Sequence, residues 1–587
     1  MHNYAIYVHY SLGEEIKGYE KYFLSFLLKN YKVYFISNSP LSTTSIEWLS
    51  ANSIQYMLRE NYGFDFGAYK DFFIKNKDLL KNCDTLLLTN NSFYAPVGDL
   101  RNPEEILGGN DFFGWYLHPR TGSIPQHLQS YFLLFGKRIL TSGKLERFFN
   151  KLAYPENFDK AVDIETHFTN FLQRMGFSYS FSADFKKVNS LFPNPSMLTP
   201  DFLLESGVPL IKRKSLTLSY DYYLNDSFGD HPKQALEKAR KLGYPMELIY
   251  EDLKDYPQSQ TFPNLPHFFI LDKNATNYSL PVNRKIGLIL FVYFDDFISQ
   301  NSNIIAIFKE LNSRILIVSP CSELLKKYKE SFKNSCEYQK MENRGRNEYA
   351  YFVCGKSILE ECDYTCLLHD KKSKGENPAI RGYDWNLYCI ENLVPSKEFI
   401  LNIIEQYENN PQIGLLFPPP PIFSKWCRIP NTIWENPNNL RWAKILYSKL
   451  KLSIPFDDYP LVPFGAMFWM RKGALSALTN KTLDTSFFPK EPLPADGSIL
   501  HALERMYSMI AQEKGYFSGW ALTTSYAERY VLNLYSLYNG TFNIRSQTDT
   551  QNSHSPGIKI SLRLLLAAIK RRLFKEYRRL WKRNHLS

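Results

Sequence analysis

Glu60-Asn61-Tyr62-Gly63-Phe64-Asp65 comes back in the same chain as Glu342-Asn343-Arg344-Gly345-Arg346-Asn347, about 280 residues later. Each copy precedes an apolar run that ends in polar residues. The first run is Asp84-Thr85-Leu86-Leu87-Leu88-Thr89-Asn90-Asn91-Ser92, and the second is Asp363-Tyr364-Thr365-Cys366-Leu367-Leu368-His369-Asp370-Lys371-Lys372-Ser373. Such a spacing is far too long for a solenoid and fits two whole domains built on one plan. What repeats is polar loop chemistry at strand ends, not core filling.

Working outward from the first copy, Tyr4 to Tyr10, Val33 to Ser37, Ile54 to Leu58 and Thr85 to Leu88 read as strands. Gly18 to Asn30, Ser45 to Asn52 and Gly67 to Leu80 read as helices between them. The second unit restarts the order with strands at Lys285 to Tyr293 and Arg314 to Val318, and helices at Ser302 to Leu311, Cys321 to Phe332 and Asn347 to Glu360. Strands alternating with helices predict an α/β fold with a parallel sheet, here two Rossmann-like domains in tandem. We divide the chain into a first domain over 1–225, a helical linker region over 226–282, a second domain over 283–545, and a polar linker with a basic helix over 546–587. The divisions follow the charged helical pattern of Asp230 to Leu253, the three prolines of Tyr256 to Pro266, and the turn-rich Ser546 to Gly557.

The chain has 587 residues, 44% of them hydrophobic, which is enough for two to four buried cores. Aromatic residues make up 16%, a share that serves either large cores or flat surfaces for sugars and bases. Eight cysteines show no CxxC pair and no zinc spacing, so a metal site of that kind is not expected. Met1-His2-Asn3-Tyr4 opens directly on strand-like sequence, and the longest clean apolar stretch, Ile286 to Phe294, is half a membrane span. A cytoplasmic protein with reduced thiols is therefore expected.

The net charge of +11 is concentrated at the end of the chain. Residues 558–587 hold ten Lys and Arg against the single acid Glu576, a balance of +9 that leaves +2 for the rest. The body is thus not a nucleic-acid binder. In the tail, Leu562, Leu566, Ile569, Leu573, Tyr577 and Leu580 recur at helical spacing. Such a helix can lie on an anionic membrane surface, gaining about 1 kcal/mol per nearby basic residue. Packing on the body or binding an acidic partner are the alternatives.

In the first copy, Gly63 and Gly67 allow a tight turn and close approach to a ligand, and the following helix start offers free N–H groups to an anion. Asp65 can accept hydrogen bonds from a ribose or base. Ligands of parallel α/β sheets bind at the carboxyl ends of strands, so this turn and Thr89 to Ser92 face one cleft. The candidate donor contacts are Asn61, Gly63, Asp65, Gly67, Asn90 and Asn91, and in the second copy Asn343, Gly345, Arg346, His369, Asp370, Lys371 and Lys372. One copy alone would pass for an ordinary strand-to-helix turn; the recurrence favours a cleft. No GxGxxG follows the first strand, which argues against a dinucleotide enzyme.

The loop, helix and triple-apolar strand look like the nucleotide-sugar half of GT-A glycosyltransferases. Glu60 to Lys70, Thr89 to Pro96, His127 to Phe132 and Gly207 to Lys214 resemble, more closely, the rhamnan synthesis protein F family. Leu368 to Ser373, Pro463 to Trp469 and Asp496 to Arg505 extend the resemblance over roughly residues 1 to 530. It implies a glycosyltransferase that moves rhamnose or a related sugar, with inversion, from a nucleotide-sugar donor (dTDP-rhamnose favoured) to a lipid-linked glycan acceptor at the inner membrane face.

GT-A enzymes usually hold a divalent ion (Mg or Mn) with Asp-x-Asp at the end of that strand. Here Asn90-Asn91-Ser92 is uncharged, so the first domain works without a metal or holds one weakly, and no metal ligand is assigned. In the second, Lys371 and Lys372 could neutralise a leaving diphosphate instead. An inverting transfer needs a base for the acceptor hydroxyl. The candidates are Asp163 and Glu165, at an apparent helix start, and Asp496 and Glu504; His127 and Gln129 are candidate acceptor contacts. With no Asp-x-Asp in either unit, a non-catalytic glycan-binding scaffold is the rival reading.

Overall fold

The structure, a computed structural model, describes residues 2–76, 82–120, 122–184, 194–220, 222–223, 229–372, 380–421, 433–479 and 485–536. The basic tail expected over 558–587 lies outside the described residues.

In the first half, β1 (Asn3–His9), β2 (Lys32–Ser37), β3 (Gln55–Leu58) and β4 (Thr85–Asn90) are mutually parallel, with β1 between β2 and β4. The sheet continues through β6 (Phe112–His118), β7 (His127–Leu128), β8 (Phe132–Gly136) and β9 (Tyr179–Asp184), while β5 (Phe93–Tyr94) pairs outside it with β10 (Ile211–Lys212). β8 runs antiparallel between β4 and β6, so the sheet is mixed and not purely parallel as expected. The second half contains β11 (Phe268–Leu271), β12 (Ile286–Phe291), β13 (Arg314–Ser319), β14 (Glu337–Lys340), β15 (Tyr364–His369), β16 (Ile413–Phe417), β17 (Phe468–Arg471) and β18 (Phe517–Thr523). Its order, β14-β13-β12-β15-β17-β16-β18, repeats that of the first sheet, with β17 antiparallel at the place of β8. β11, from the stretch read as a linker, adds a further parallel strand beyond β18.

The triple-apolar runs are continuous because both faces of each sheet are covered. Successive strand side chains point to opposite faces. Leu86 and Leu88 enter a cluster with Phe66, Tyr69, Phe72 and Phe73, while Leu87 packs with Phe23, Leu24 and Leu27. The second half does the same with Leu367 on one face and Cys366 and Leu368 on the other. Burying each such leucine is worth about 1.5–3 kcal/mol.

Helices His231–Lys241 and Met246–Leu253 join the halves, packing Ala235, Leu236, Ile249 and Leu253 with Tyr19, Tyr94 and Phe517. Within that contact Arg213 donates to both Asp252 oxygens at 2.8 Å, and the Tyr94 hydroxyl donates to the same carboxylate. Breaking so buried a pair by removing one partner typically costs 3–5 kcal/mol.

Candidate active site

Strand register makes the repeat exact in space. Val8 of β1 faces Asn90 of β4, and Phe291 of β12 faces His369 of β15. The Arg59 N–H donates to Ser37 O, and the Met341 N–H to Ser319 O, at the exits of β3 and β14. Tyr62 N–H to Glu60 O and Arg344 N–H to Glu342 O then close the same turn at 2.8 Å in both halves. Each turn places two successive residues in the left-handed region: Gly63 and Phe64 at φ +76° and +54°, Gly345 and Arg346 at +63° and +47°. For the non-glycines this costs about 1–2 kcal/mol each. Both turns feed a helix, Phe64–Lys75 in the first half and Arg346–Tyr349 in the second.

The two turns are enclosed differently. Gly63 and Gly67 lie against Tyr154; a Cβ on Gly67 would stand 2.6 Å from Tyr62 O. Gly345 lies under Phe488, its N–H donating to Pro489 O, and Arg346 pairs with Glu491 at 2.7 Å. Asn61 and Asn343 are exposed in both.

At the end of β4 the Asn90 amide donates to Asp65 Oδ2 at 2.6 Å, and Asn90 Oδ1 accepts from the Ser92 N–H and hydroxyl. Asn91 donates its amide to Tyr10 O, tying the β1 exit loop. Burial pushes the Asp65 carboxyl up, opposed by the Asn90 hydrogen bond and the charge of Lys212. Lys212, given no role from the sequence, donates to Ser92 Oγ at 2.9 Å and lies 4.0 Å from the centre of the Tyr131 ring. Desolvation lowers its ammonium to about 8, against the charges of Glu165 and Asp65.

The carboxylate candidates separate sharply. Their helix begins at Phe158 with Asn157 as its cap, so Asp163 lies well inside it and not at its start. Asp163 is 68% exposed and, among the described residues, its carboxylate pairs with His167 alone, at 3.4 Å. Glu165, two residues on and so on the opposite side of the helix, accepts from the Ser130 N–H at 2.7 Å and its hydroxyl at 2.8 Å. Both donors reach Oε1, leaving Oε2 without a hydrogen bond among the described residues. Glu504 on helix Ile499–Glu513 accepts from the Gly465 N–H at 2.6 Å. Leu88 faces Leu133 and Leu367 faces Phe468, so Ser130 and Gly465 stand at the same position, three residues before the strand partner. Glu165 and Glu504 thus perform one act in the two halves: each holds the backbone that crosses the mouth of the site.

His127 and Gln129 are brought beside Glu165 but are buried. His127 stacks on His118 with ring centres 4.9 Å apart, and burial lowers its imidazole. Asp496 is turned to structural work, accepting from Asn436 and Asn439 at 2.9 Å each; burial works against its ionisation, but these amides hold its carboxyl below the usual range.

In the second half His369 contacts Gly465 O at 2.6 Å, and burial lowers its imidazole. Asp370 Oδ2 accepts from the N–H groups of Tyr293 and Phe294, its carboxyl pushed up by burial to about 7. Lys371 lies over Trp385 at 3.9 Å, and Lys372 pairs with Asp296. Asn347 replaces Asp65, and Glu348 beside it is buried, its carboxyl raised to about 8 by desolvation and by Glu504. A cavity of about 890 Å³ adjoins this half between helices Ile298–Glu310 and Ile380–Leu393, with Asp296 and Lys372 on its wall, rather than over the turns.

Neither strand end suits the divalent ion that the GT-A resemblance implies. The Asn90 carbonyl is engaged by Ser92 and the Asn91 amide by Tyr10; Asp370 Oδ2 accepts from two backbone N–H groups and its buried Oδ1 is unpaired, but among the described residues no group of three His, Cys, Asp or Glu side chains could hold a metal ion. Magnesium demands near-octahedral oxygen ligation, usually through one or two carboxylates with water and phosphate.

The fold and site define an α/β protein with two Rossmann-like sheets, each carrying a polar cluster at its strand ends. The chain belongs to the rhamnan synthesis protein F family, whose model matches residues 33–516. It is 26% identical over 181 residues to the uncharacterized protein WxcX of Xanthomonas campestris pv. campestris (strain B100), and 25% identical over 162 residues to the uncharacterized protein y4gN of Sinorhizobium fredii (strain NBRC 101917 / NGR234). These matches take in 31% and 26% of this chain, and span only 24% and 41% of the relatives' own length. Among solved structures, the glycosyltransferase GlyE of Streptococcus pneumoniae TIGR4 aligns with 69% of this chain and 99% of its own, at 12% identity and a TM-score of 0.23. A glycosyltransferase involved in glycosylation of the major capsid of PBCV-1 aligns with 36% and 94%, at 11% identity and a TM-score of 0.20. Scores this low carry no argument about function.

Proposed function

We propose that the chain is an inverting glycosyltransferase of the GT-A kind that moves rhamnose or a related sugar from a nucleotide-sugar donor to a lipid-linked surface polysaccharide. One observation carries this reading: Glu165 and Asp65, from separate helices, converge with Asn90 at the mouth of the first sheet, with Glu165 Oε2 uncommitted. In transfer, the acceptor oxygen bonds to the anomeric carbon while the bond to diphosphate breaks. The acceptor proton passes to Glu165, and Ser130 keeps that carboxylate aimed. The basic tail holds the enzyme on the inner membrane face; among the described residues no helix is long and apolar enough to cross a membrane.

The second half supports a different role, that of a glycan- or nucleotide-binding partner without turnover. Asn347 stands where Asp65 would, and Arg346 and Lys372 are paired with Glu491 and Asp296. Incubating the full chain with a panel of nucleotide sugars and a lipid-linked acceptor, and measuring released nucleoside diphosphate, tests the enzyme reading. No release with any donor would leave the scaffold reading in its place. Deleting residues 558–587 should move the protein from membrane to soluble fractions, and unchanged association would refute the anchor.

A further inference from the structure

We propose that Lys212 is the positive charge that receives the donor diphosphate in the first half, in place of a divalent cation; this rests on the reading of that half as a nucleotide-sugar site. At the end of β4, Asn90 Oδ1 is taken by Ser92 and Asp65 Oδ2 by the Asn90 amide, and the strand end itself brings no positive charge. Lys212 supplies it at the same edge, bonded to the Ser92 hydroxyl that caps Asn90. It is set on a strand, since β10 pairs Lys212 with Phe93 of β5, and its neighbour Arg213 is locked to Asp252.

Three other cations of this half are tied up, while the exposed Lys214 lies over the Phe158 ring at 5.4 Å. Lys70 donates to three carbonyl oxygens around Asn150, Arg59 pairs with Asp71 at 2.8 Å, and Arg213 with Asp252. Lys212 contacts only a neutral hydroxyl and a ring face among the described residues. An ammonium so placed needs no reorganisation to meet developing charge. During transfer the electron pair of the breaking bond goes to the diphosphate oxygen, the acceptor proton to Glu165, and Lys212 keeps its proton while donating to the leaving oxygen.

The groups facing Lys212 are Glu165, Asp65 and Lys214, and its own titration near 8 falls within reach of experiment. The test measures binding of dTDP, UDP and GDP to the full chain by calorimetry in EDTA, with the matching nucleosides as controls. Wild type should bind at least one diphosphate, with affinity declining above pH 8 as Lys212 loses its proton. K212M should bind that diphosphate at least tenfold more weakly and the nucleoside within twofold of wild type. K212R should restore affinity to within threefold and abolish the decline above pH 8, a readout available even where K212M fails to fold. Equal binding by K212M, an unchanged pH profile in K212R, or wild-type binding only with added magnesium overturns the role of Lys212 alone. Failure of wild type to bind any of the three, with or without magnesium, removes the nucleotide-sugar reading itself.

Discussion

The two halves share a scaffold and differ in what they do with it. Both close the turn with the same backbone bonds, place a left-handed pair before the helix, and use a glutamate from a late helix to hold the backbone ahead of the antiparallel strand. The first half leaves that glutamate facing Asp65 and Lys212. The second buries Glu348 next to Glu504, replaces Asn90 with His369, and covers its turn with Phe488 to Glu491. The clamp is common to both halves; what sets the first apart is the pair of charges, Asp65 and Lys212, that its glutamate faces.

The sharpest break in this comparison is Glu165→Gln against Glu504→Gln. Glutamine still accepts from Ser130 or Gly465, so both variants should fold. Loss of a general base costs about 10²–10⁴-fold. E165Q should lose that much turnover in a donor-release assay while E504Q stays within a few fold, and the reverse pattern would move catalysis to the second half.

Glu348→Gln comes next. The folded chain holds the Glu348 proton up to about pH 8, whereas the unfolded chain releases it near 4.5. Between those values the unfolded state binds fewer protons, so stability falls as pH rises. E348Q should remove this slope and stabilise the protein at pH 7 by on the order of 2–3 kcal/mol. Denaturant titrations from pH 5 to 8 that show parallel curves for both proteins would refute it. The first half carries buried Phe66 at the corresponding place.

Alanine at either turn glycine should destabilise by about 1–3 kcal/mol, through the positive φ and the lost space. Gly345→Ala should be the worse, because its Cβ meets Phe488 and Tyr349 at their own Cβ atoms, 2.7 and 2.8 Å away, while Gly63→Ala meets chiefly the Tyr154 ring. Equal losses in thermal melts would mean the second turn is not the more tightly covered. The smallest effect belongs to Glu491→Gln, which opens a part-exposed ion pair worth about 0–1 kcal/mol and frees Arg346. If the second half then gains diphosphate affinity in calorimetry, the closure by Glu491 is what separates the two sites.

Much of the framework was legible in the chain alone. The repeat, the order of the first strands and helices, and the turns at Gly63 and Gly345 follow from local causes: continuous apolar runs for strands covered on both faces, and glycine where φ turns positive. The antiparallel β8 and β17 were not legible, since an apolar run does not announce its direction. Nor was the choice between Asp163 and Glu165, which one helix turns to opposite sides. Glu165 meets Ser130 across 35 residues, Glu504 meets Gly465 across 39, and Lys212 meets Ser92 across 120. Short-range chemistry in the sequence determined that two polar turns exist; only the tertiary structure decided which charges face them, because sheet register and helix packing bring those groups together from segments whose local patterns carry no record of one another.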